Sequence, residues 1–344
     1  MTERQEDILK TIVKLYISSA HPVGSSAIVS ASGLHVSSAT VRNEMAILEE
    51  LGYVRQLHTS GGRVPTNAGY RYYVERLMER ARLPYSETST IRHQFHQAHT
   101  EVQEWLKLAA TIMAHRMHTV GLVTAPRSTE ARLRHLEVIG IQNSIALLIV
   151  VVQDGTVLQE MVTLQDAESQ EDLSIMADRL SAQLRGLTWA EIDAKAVELA
   201  PVEMQVAMIA AHLLRRAQGQ NVQIFHAGLA DMIRQPEFLG PRRGEPASLT
   251  NERLRQMVDF LQQGLALQRL LSYFPPDANL QILIGGETTV DGLQDYSFVL
   301  GRYGHEEDSS GYLGIVGPTR MEYQRAVALV QYMTDLMTDL VRPY

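Results

Sequence analysis

The chain has no cysteine among its 344 residues. Disulfides, thiolate metal sites and cysteine nucleophiles are therefore excluded, and the composition fits a reducing cytoplasm. Long apolar runs are also missing. The longest clear one, Ile145 to Val152, is too short to cross a bilayer. Residues 1–7 are charged and no apolar stretch follows them, so the start does not read as a signal peptide. An excess of basic charge is lacking as well: the net charge is −8. Residues 1–80 hold nine basic and eight acidic side chains, which leaves a net −9 on the remainder. A chain of this kind can hold nucleic acid only by gathering basic groups on one face.

Catalytic constellations are absent too. There is no nucleophile elbow, no paired-carboxylate spacing and no metal-hydrolase helix. Gly285-Gly286-Glu287 and the stretch Gly314 to Gly317 match neither a phosphate loop nor a dinucleotide fingerprint. His93, His96 and His99 recur every three residues. On a helix such steps turn successive side chains about 60° apart, so the three cannot converge on one ion. These patterns predict neither an enzyme nor a cofactor or metal site.

What is present is a dense set of local signals at the N-terminal end. Residues 2–19 carry apolar side chains at Ile8, Leu9, Ile12, Leu15 and Tyr16, one face of a helix that His21-Pro22-Val23-Gly24 stops. Ser25 to Ser32 predicts a short second helix ended by Gly33. Ser37 to Leu51 predicts a third, with Ser37 or Ser38 as its cap and Val41, Met45 and Leu48 as its buried stripe. Ala39, Asn43, Ala46 and Glu50 then point outward, with Thr40 and Arg42 on the flanks. Small residues allow close approach to a major groove, Asn can pair with adenine and Arg with guanine. An ordinary amphipathic surface helix would show the same stripe, and Glu44, Glu49 and Glu50 favour that reading. The neighbours decide between the two. Tyr53 to His58 and Arg63-Val64 flank the polar turn Thr59-Ser60-Gly61-Gly62, which predicts a β-hairpin wing with Arg63 at its tip. Helix, short helix, capped helix and wing form the order of a winged helix-turn-helix.

Four segments in this region, R-Q-E-D-I-L-K-T-I-V, Y-I-S-S-A-H-P-V-G-S, S-S-A-T-V-R-N-E-M-A-I-L-E-E-L-G-Y and H-T-S-G-G-R-V-P-T-N-A-G-Y-R-Y-Y-V, together resemble the heat-inducible transcription repressor family HrcA. Gly314 to Tyr323, G-I-V-G-P-T-R-M-E-Y, resembles that family's second signature. Departures from the pattern are Leu57 in place of proline, Gly61 in place of alanine, and Thr288 in place of asparagine after Gly-Gly-Glu.

Beyond residue 80 the chain changes character several times. About 87–118 predicts one long helix whose seam (Ile91, Phe95, Ala98, Val102, Trp105, Ala109, Ile112) packs either in a coiled coil or, given the breadth added by Leu106, Leu108 and Met113, in the chain's own core. Val120 to Thr124, Leu136 to Ile141, Ser144 to Val152 and Val157 to Leu164 predict strands, the last three an antiparallel meander. The unbroken apolar run in the third predicts a strand covered on both faces. Helices follow at about 170–185, 189–197 and 202–217. The last is so rich in apolar residues (Met204, Val206, Met208, Ile209, Leu213, Leu214) that a partner surface and a buried helix are equally open readings. A strand at 222–225, a loop at 239–246, a helix at 251–273, strands at 280–284, 296–302 and 311–316, and a helix at 320–341 complete the chain.

The fold class expected is α+β multidomain: an N-terminal winged helix-turn-helix (1–80), then an α+β domain in two parts (81–165 and 251–344) interrupted by an inserted helical block (166–250). The family resemblance implies that the split domain is GAF-like and the insert a dimerisation domain. The function expected is repression of transcription by a cytoplasmic homodimer on double-stranded DNA. Thr40, Arg42 and Asn43 are expected to read base edges, Ala39 to permit close approach, and Ser38 with the helix N-terminus to hold a phosphate. His58, Thr59, Ser60 and Arg63 are expected to place the wing. The resemblance further implies an inverted-repeat operator before chaperone genes and modulation by heat and the GroE chaperonin. The alternative expectation keeps the DNA-binding end but makes the GAF-like half a small-molecule sensor.

Overall fold

The structure is a computed structural model. It describes residues 1–33, 36–57, 61–98, 101–126, 130–153, 155–164, 169–219, 223–235, 247–262, 270–271, 274–275, 278–288, 292–305 and 309–342. The chain divides into two compact units, residues 1–125 with 223–303 and 311–344, and residues 126–222 with 304–310.

The first unit begins with three helices, α1 (Glu3–Ser19), α2 (Ser25–Ser32) and α3 (Ser38–Glu50). Thr2 opens α1 with a capping box shared with Gln5, which satisfies amides that no carbonyl of the helix can reach. Ile8, Leu9, Ile12, Ile28, Val41, Met45 and Leu48 are buried together, so each helix contributes the stripe its spacing predicts. The wing is β1 (Val54–Gln56) against β2 (Arg63–Pro65), antiparallel, with Arg55 opposite Val64. Val23 exchanges both backbone hydrogen bonds with Arg63 at 2.9 Å. Gly62 is required at this seam, because a Cβ there would lie 2.5 Å from the Val23 carbonyl. Thr66 caps α4 (Asn67–Tyr72), which runs into a π-helical turn, Tyr73–Leu77.

The remainder of this unit is a five-stranded sheet in the order β7-β3-β10-β9-β8. The strands are β3 (Val120–Thr124), β7 (Ile224–Ala227), β8 (Leu280–Leu283), β9 (Tyr296–His305) and β10 (Ser309–Pro318). Helices α5 (Tyr85–Gln97), α6 (Val102–Met117), α11 (Ala247–Gln262) and α12 (Tyr323–Val341) accompany it, with the five-residue α10 (Leu229–Ile233). The long helix expected over 87–118 is two helices. Ala98 and Glu101 are both extended, with ψ of 149° and 126°. Each helix buries its own stripe, Ile91 and Phe95 in α5, and Trp105, Leu106, Ala109 and Met113 in α6. His96, Gln97 and Glu101, on either side of the break, are exposed and give neither helix anything to bury there.

The second unit differs from the expected insert. It begins near Pro126, not at 166, and the strands at 133–163 do not join the five-stranded sheet. β4 (Leu133–Gln142), β5 (Ile145–Val152) and β6 (Val157–Thr163) form a separate antiparallel sheet with β5 central. Helices α7 (Gln170–Leu184), α8 (Trp189–Ala196) and α9 (Pro201–Gly219) complete the unit. Leu136, Val138, Ala146, Leu148, Val150 and Val162 face Leu173, Leu180, Val206, Ala210 and Leu214 in one core. β5 is therefore covered on one face rather than two: Ala146, Leu148, Val150 and Val152 are buried, whereas Ile145 is exposed and Leu147, Ile149 and Val151 are half-buried. The apolar excess of α9 is absorbed by its own unit, with only Met208 among the six residues noted left exposed. The loop expected at 239–246 lies outside the described residues.

Candidate nucleic-acid interface

α3 starts where a side chain closes its first turn. Ser37 Oγ accepts the Thr40 amide at 3.1 Å and lies 3.0 Å from the Thr40 hydroxyl. Ser37 is the cap, and Ser38 has a different task. Its hydroxyl is 2.8 Å from that of Ser25, which ties the start of α3 to the start of α2. Of the residues expected on the reading face, Ala39, Arg42 and Asn43 are exposed, while Ser38 and Thr40 are half-buried and engaged as described. The buried stripe of Val41, Met45 and Leu48 fixes the rotation of the helix, so the exposed residues are held outward by packing.

The acidic residues that argued for an ordinary surface helix are largely accounted for. Glu44 accepts a hydrogen bond from Gln5 Nε2 at 3.0 Å and lies 3.7 Å from Arg4. Glu49 accepts from Arg63 Nε at 2.9 Å and lies 2.8 Å from Arg63 Nη2. The other Glu49 oxygen accepts the Gln56 amide at 2.8 Å. Two carboxylates that would repel phosphate are thus paired inside the domain, and Glu50 remains exposed at the far end of the helix.

Arg63 departs from expectation. It is the first residue of β2, not the tip of the hairpin, and its guanidinium is turned onto α3 with its side chain 13% exposed. His58, Thr59 and Ser60 lie outside the described residues. The cation that the sequence reading missed is Arg55. Val54 is buried and Arg55 exposed, the alternation of a half-covered strand, and that alternation was the available signal. Arg42, Asn43 and Arg55 are thus each exposed on this domain and able to pair with base edges or phosphate.

No group of histidine, aspartate and glutamate side chains able to hold a metal ion occurs among the described residues. His93 and His96 are exposed on α5, with His93 Nε2 3.0 Å from Gln97, and His99 lies outside the described residues.

The family model "Winged helix-turn-helix transcription repressor, HrcA DNA-binding" matches residues 1–77, and "HrcA protein C terminal domain" matches residues 103–327. The chain belongs to the HrcA family. Relatives called "Heat-inducible transcription repressor HrcA" include that of Roseiflexus castenholzii, 40% identical over 99% of this chain and 94% of that protein. Those of Chloroflexus aurantiacus and Thermomicrobium roseum are each 39% identical over 99% of this chain, covering 94% and 95% of those proteins. A crystal structure described as that of a hypothetical protein shares the fold, with a TM-score of 0.57 and 21% identity over 99% of this chain and 98% of that one. As an HrcA family member the chain is a DNA-binding transcription repressor with a winged-helix domain. Among the described residues no helix is long and apolar enough to cross a membrane.

Proposed function

We propose that the chain represses chaperone genes as a homodimer, each copy laying α3 in a major groove of one half of an inverted-repeat operator. The observation that carries this reading is the outward face of α3, with Ala39, Arg42 and Asn43 exposed while Glu44 and Glu49 are tied down. Asn43 and Arg42 read bases, Ala39 permits the approach, and Thr40, Ser38 and the first-turn amides lie toward a phosphate. His58, Thr59 and Ser60 contact the DNA backbone, and Arg63 acts by holding the wing on Glu49.

Pairing of two copies is supported by the outer face of the β4-β5-β6 sheet. Ile139, Leu147 and Met161 stand directly across from one another, and Val151 stands across from Val157. Met161 and Val157 are 56% and 61% exposed. An apolar sheet face left open in this way marks an interaction surface, and a second copy covers it symmetrically. Heat acts by lowering the population of the DNA-competent dimer, and the GroE chaperonin restores it.

A gel-shift titration at fixed salt, with a chaperone-promoter fragment against a scrambled repeat, tests the reading. Equal affinity for both fragments defeats it. A second reading is favoured by one feature, a cavity of about 470 Å³ lined by Lys14, Tyr73, Leu83, Glu87, Tyr323 and Arg325. There a small molecule would adjust operator binding. A compound that raises the melting temperature and changes operator affinity together would establish it.

A further inference from the structure

The segment Met78 to Pro84 joins the DNA-binding part to α5. Seven residues reach roughly 23–25 Å when extended. A tether of that length permits wide reorientation of what it carries, so the orientation must come from contacts. Among the described residues, three polar or aromatic contacts within the first unit contribute to it, beside the shared apolar core.

The first is at α4. Arg71 Nε donates to Glu287 Oε1 at 2.7 Å, Nη2 reaches the other carboxylate oxygen, and Nη2 also donates to the Ile282 carbonyl at 2.8 Å. Glu287 is itself held, because one of its oxygens accepts the Ile284 amide at 2.8 Å. A two-pronged guanidinium–carboxylate pair fixes direction as well as distance. The turn that presents Glu287 is Gly285-Gly286-Glu287, the glycine-rich motif that fits no nucleotide fingerprint. Gly285 has φ of +53°, and a Cβ there would meet the Asn67 side-chain amide at 2.6–2.9 Å. The turn and the start of α4 are thus pressed together at a spot only glycine allows. The second contact is the packing of Tyr70 against Tyr323, with ring centroids 5.8 Å apart and the ring planes tilted by 52°. Tyr323 is anchored in turn by Ser297 and the Thr319 carbonyl, and Ser297 accepts the Gly285 amide. The third is at the far end of α1, where Arg320 donates to the Ile17 carbonyl.

We infer that Arg71 and Glu287 are positioning residues for operator binding: their pair sets the angle at which each DNA-reading domain leaves the core, and so the half-site spacing that the dimer accepts. This rests on the reading of a homodimer on an inverted repeat. The contacts engage two separate elements of the DNA-binding part, α4 and the end of α1. Arg71 and Glu287 are the ion pair of the set, the one contact whose two charges can be exchanged. B-DNA advances about 3.4 Å and turns about 34° per base pair. A head held in one pose therefore accepts one spacer and rejects its neighbours.

The test uses the full chain, and operators whose half-sites are moved apart or together one base pair at a time. The native protein is expected to prefer one spacer by about tenfold over spacers two base pairs away. Arg71→Glu and Glu287→Arg, made singly, are expected to flatten this preference to within about threefold while affinity for an isolated half-site stays within about twofold. The double variant Arg71→Glu/Glu287→Arg is expected to restore it. A second measurement needs no DNA. Trypsin cleavage after Arg80 and Arg82, both exposed in the joining segment, is expected to quicken in each single variant and to slow again in the double. Unchanged spacer profiles and unchanged cleavage in the single variants overturn the inference, as does a double variant no better than the singles. If the native protein ignores inverted repeats while the cleavage pattern behaves as expected, the clamp stands and its assigned role in operator spacing fails with the dimer reading.

Discussion

Glu49 joins the recognition helix to the wing through Arg63: one of its carboxylate oxygens takes the guanidinium at 2.8–2.9 Å and the other takes the Gln56 amide at 2.8 Å. The relationship turns a cation that the sequence offers to DNA into a strut. Arg63→Ala and Glu49→Ala are each expected to weaken operator binding by about tenfold, and the double variant to be little worse than either, because both remove one shared interaction. The slope of log affinity against log salt should not change. A slope reduced by about one for Arg63→Ala alone would instead place that side chain on a phosphate.

Asn43 and Arg42 should behave differently from Arg55. Asn43→Ala or Arg42→Ala is expected to cost about 1–3 kcal/mol on the operator and to relax base preference at one position in each half-site. Arg55→Ala is expected to weaken operator and scrambled DNA alike and to lower the salt slope by about one. Competition gel shifts at two salt concentrations separate the outcomes. Base preference left untouched in the α3 variants would remove Asn43 and Arg42 from the reading face.

The open face of the second sheet gives a prediction about mass. Leu147→Asp or Met161→Asp places a charge in the Ile139–Leu147–Met161 row without entering the buried side of the sheet. Sedimentation at one concentration should show the native chain as a dimer and both variants as monomers. Operator affinity should fall toward that of one half-site. Dimers that persist in both variants would move the pairing surface elsewhere.

Acid should loosen the seat of α1. The Glu79 carboxyl is held below its ordinary range by the hydrogen bond and charge of Lys10, with a further contribution from Lys14. A depressed carboxylate adds stability above the ordinary value of about 4.5, and that stability is lost as pH falls through the lowered value. The urea midpoint should therefore fall more steeply between about pH 5 and pH 3 in the native chain than in Lys10→Met. Identical pH profiles would show that this exposed pair contributes nothing measurable.

Much of the N-terminal domain was legible because its signals are local. The stripes of α1 and α3, the serine cap and the glycine-rich hairpin each act within a few residues, and the structure places them where their spacing predicts. What escaped reading depends on partners distant in sequence. Arg63 reads as a loop cation until Glu49, fourteen residues away, is seen beneath it. β5 reads as a strand covered on both sides because its outer residues are apolar too, and hydrophobicity does not say whether a neighbour of the same chain or another surface covers them. Val120 to Thr124 and the strands at 133–163 look alike, yet the first belongs to one sheet and the others to another. Periodicity reports a strand and its faces, not the strand it pairs with.

The sheet of the first unit has a consequence for how the molecule is made. β3 lies between β7 and β10, and its Val123 pairs with Leu313, roughly 190 residues further along. A ribosome must deliver the whole intervening unit before that edge is closed. Until then β3, whose Val120, Leu122 and Val123 are all fully buried at the end, lacks its β10 partner. Pairings so remote in sequence form slowly and leave sticky intermediates meanwhile. The closing strand of this sheet is thus one that only a nearly finished chain can supply.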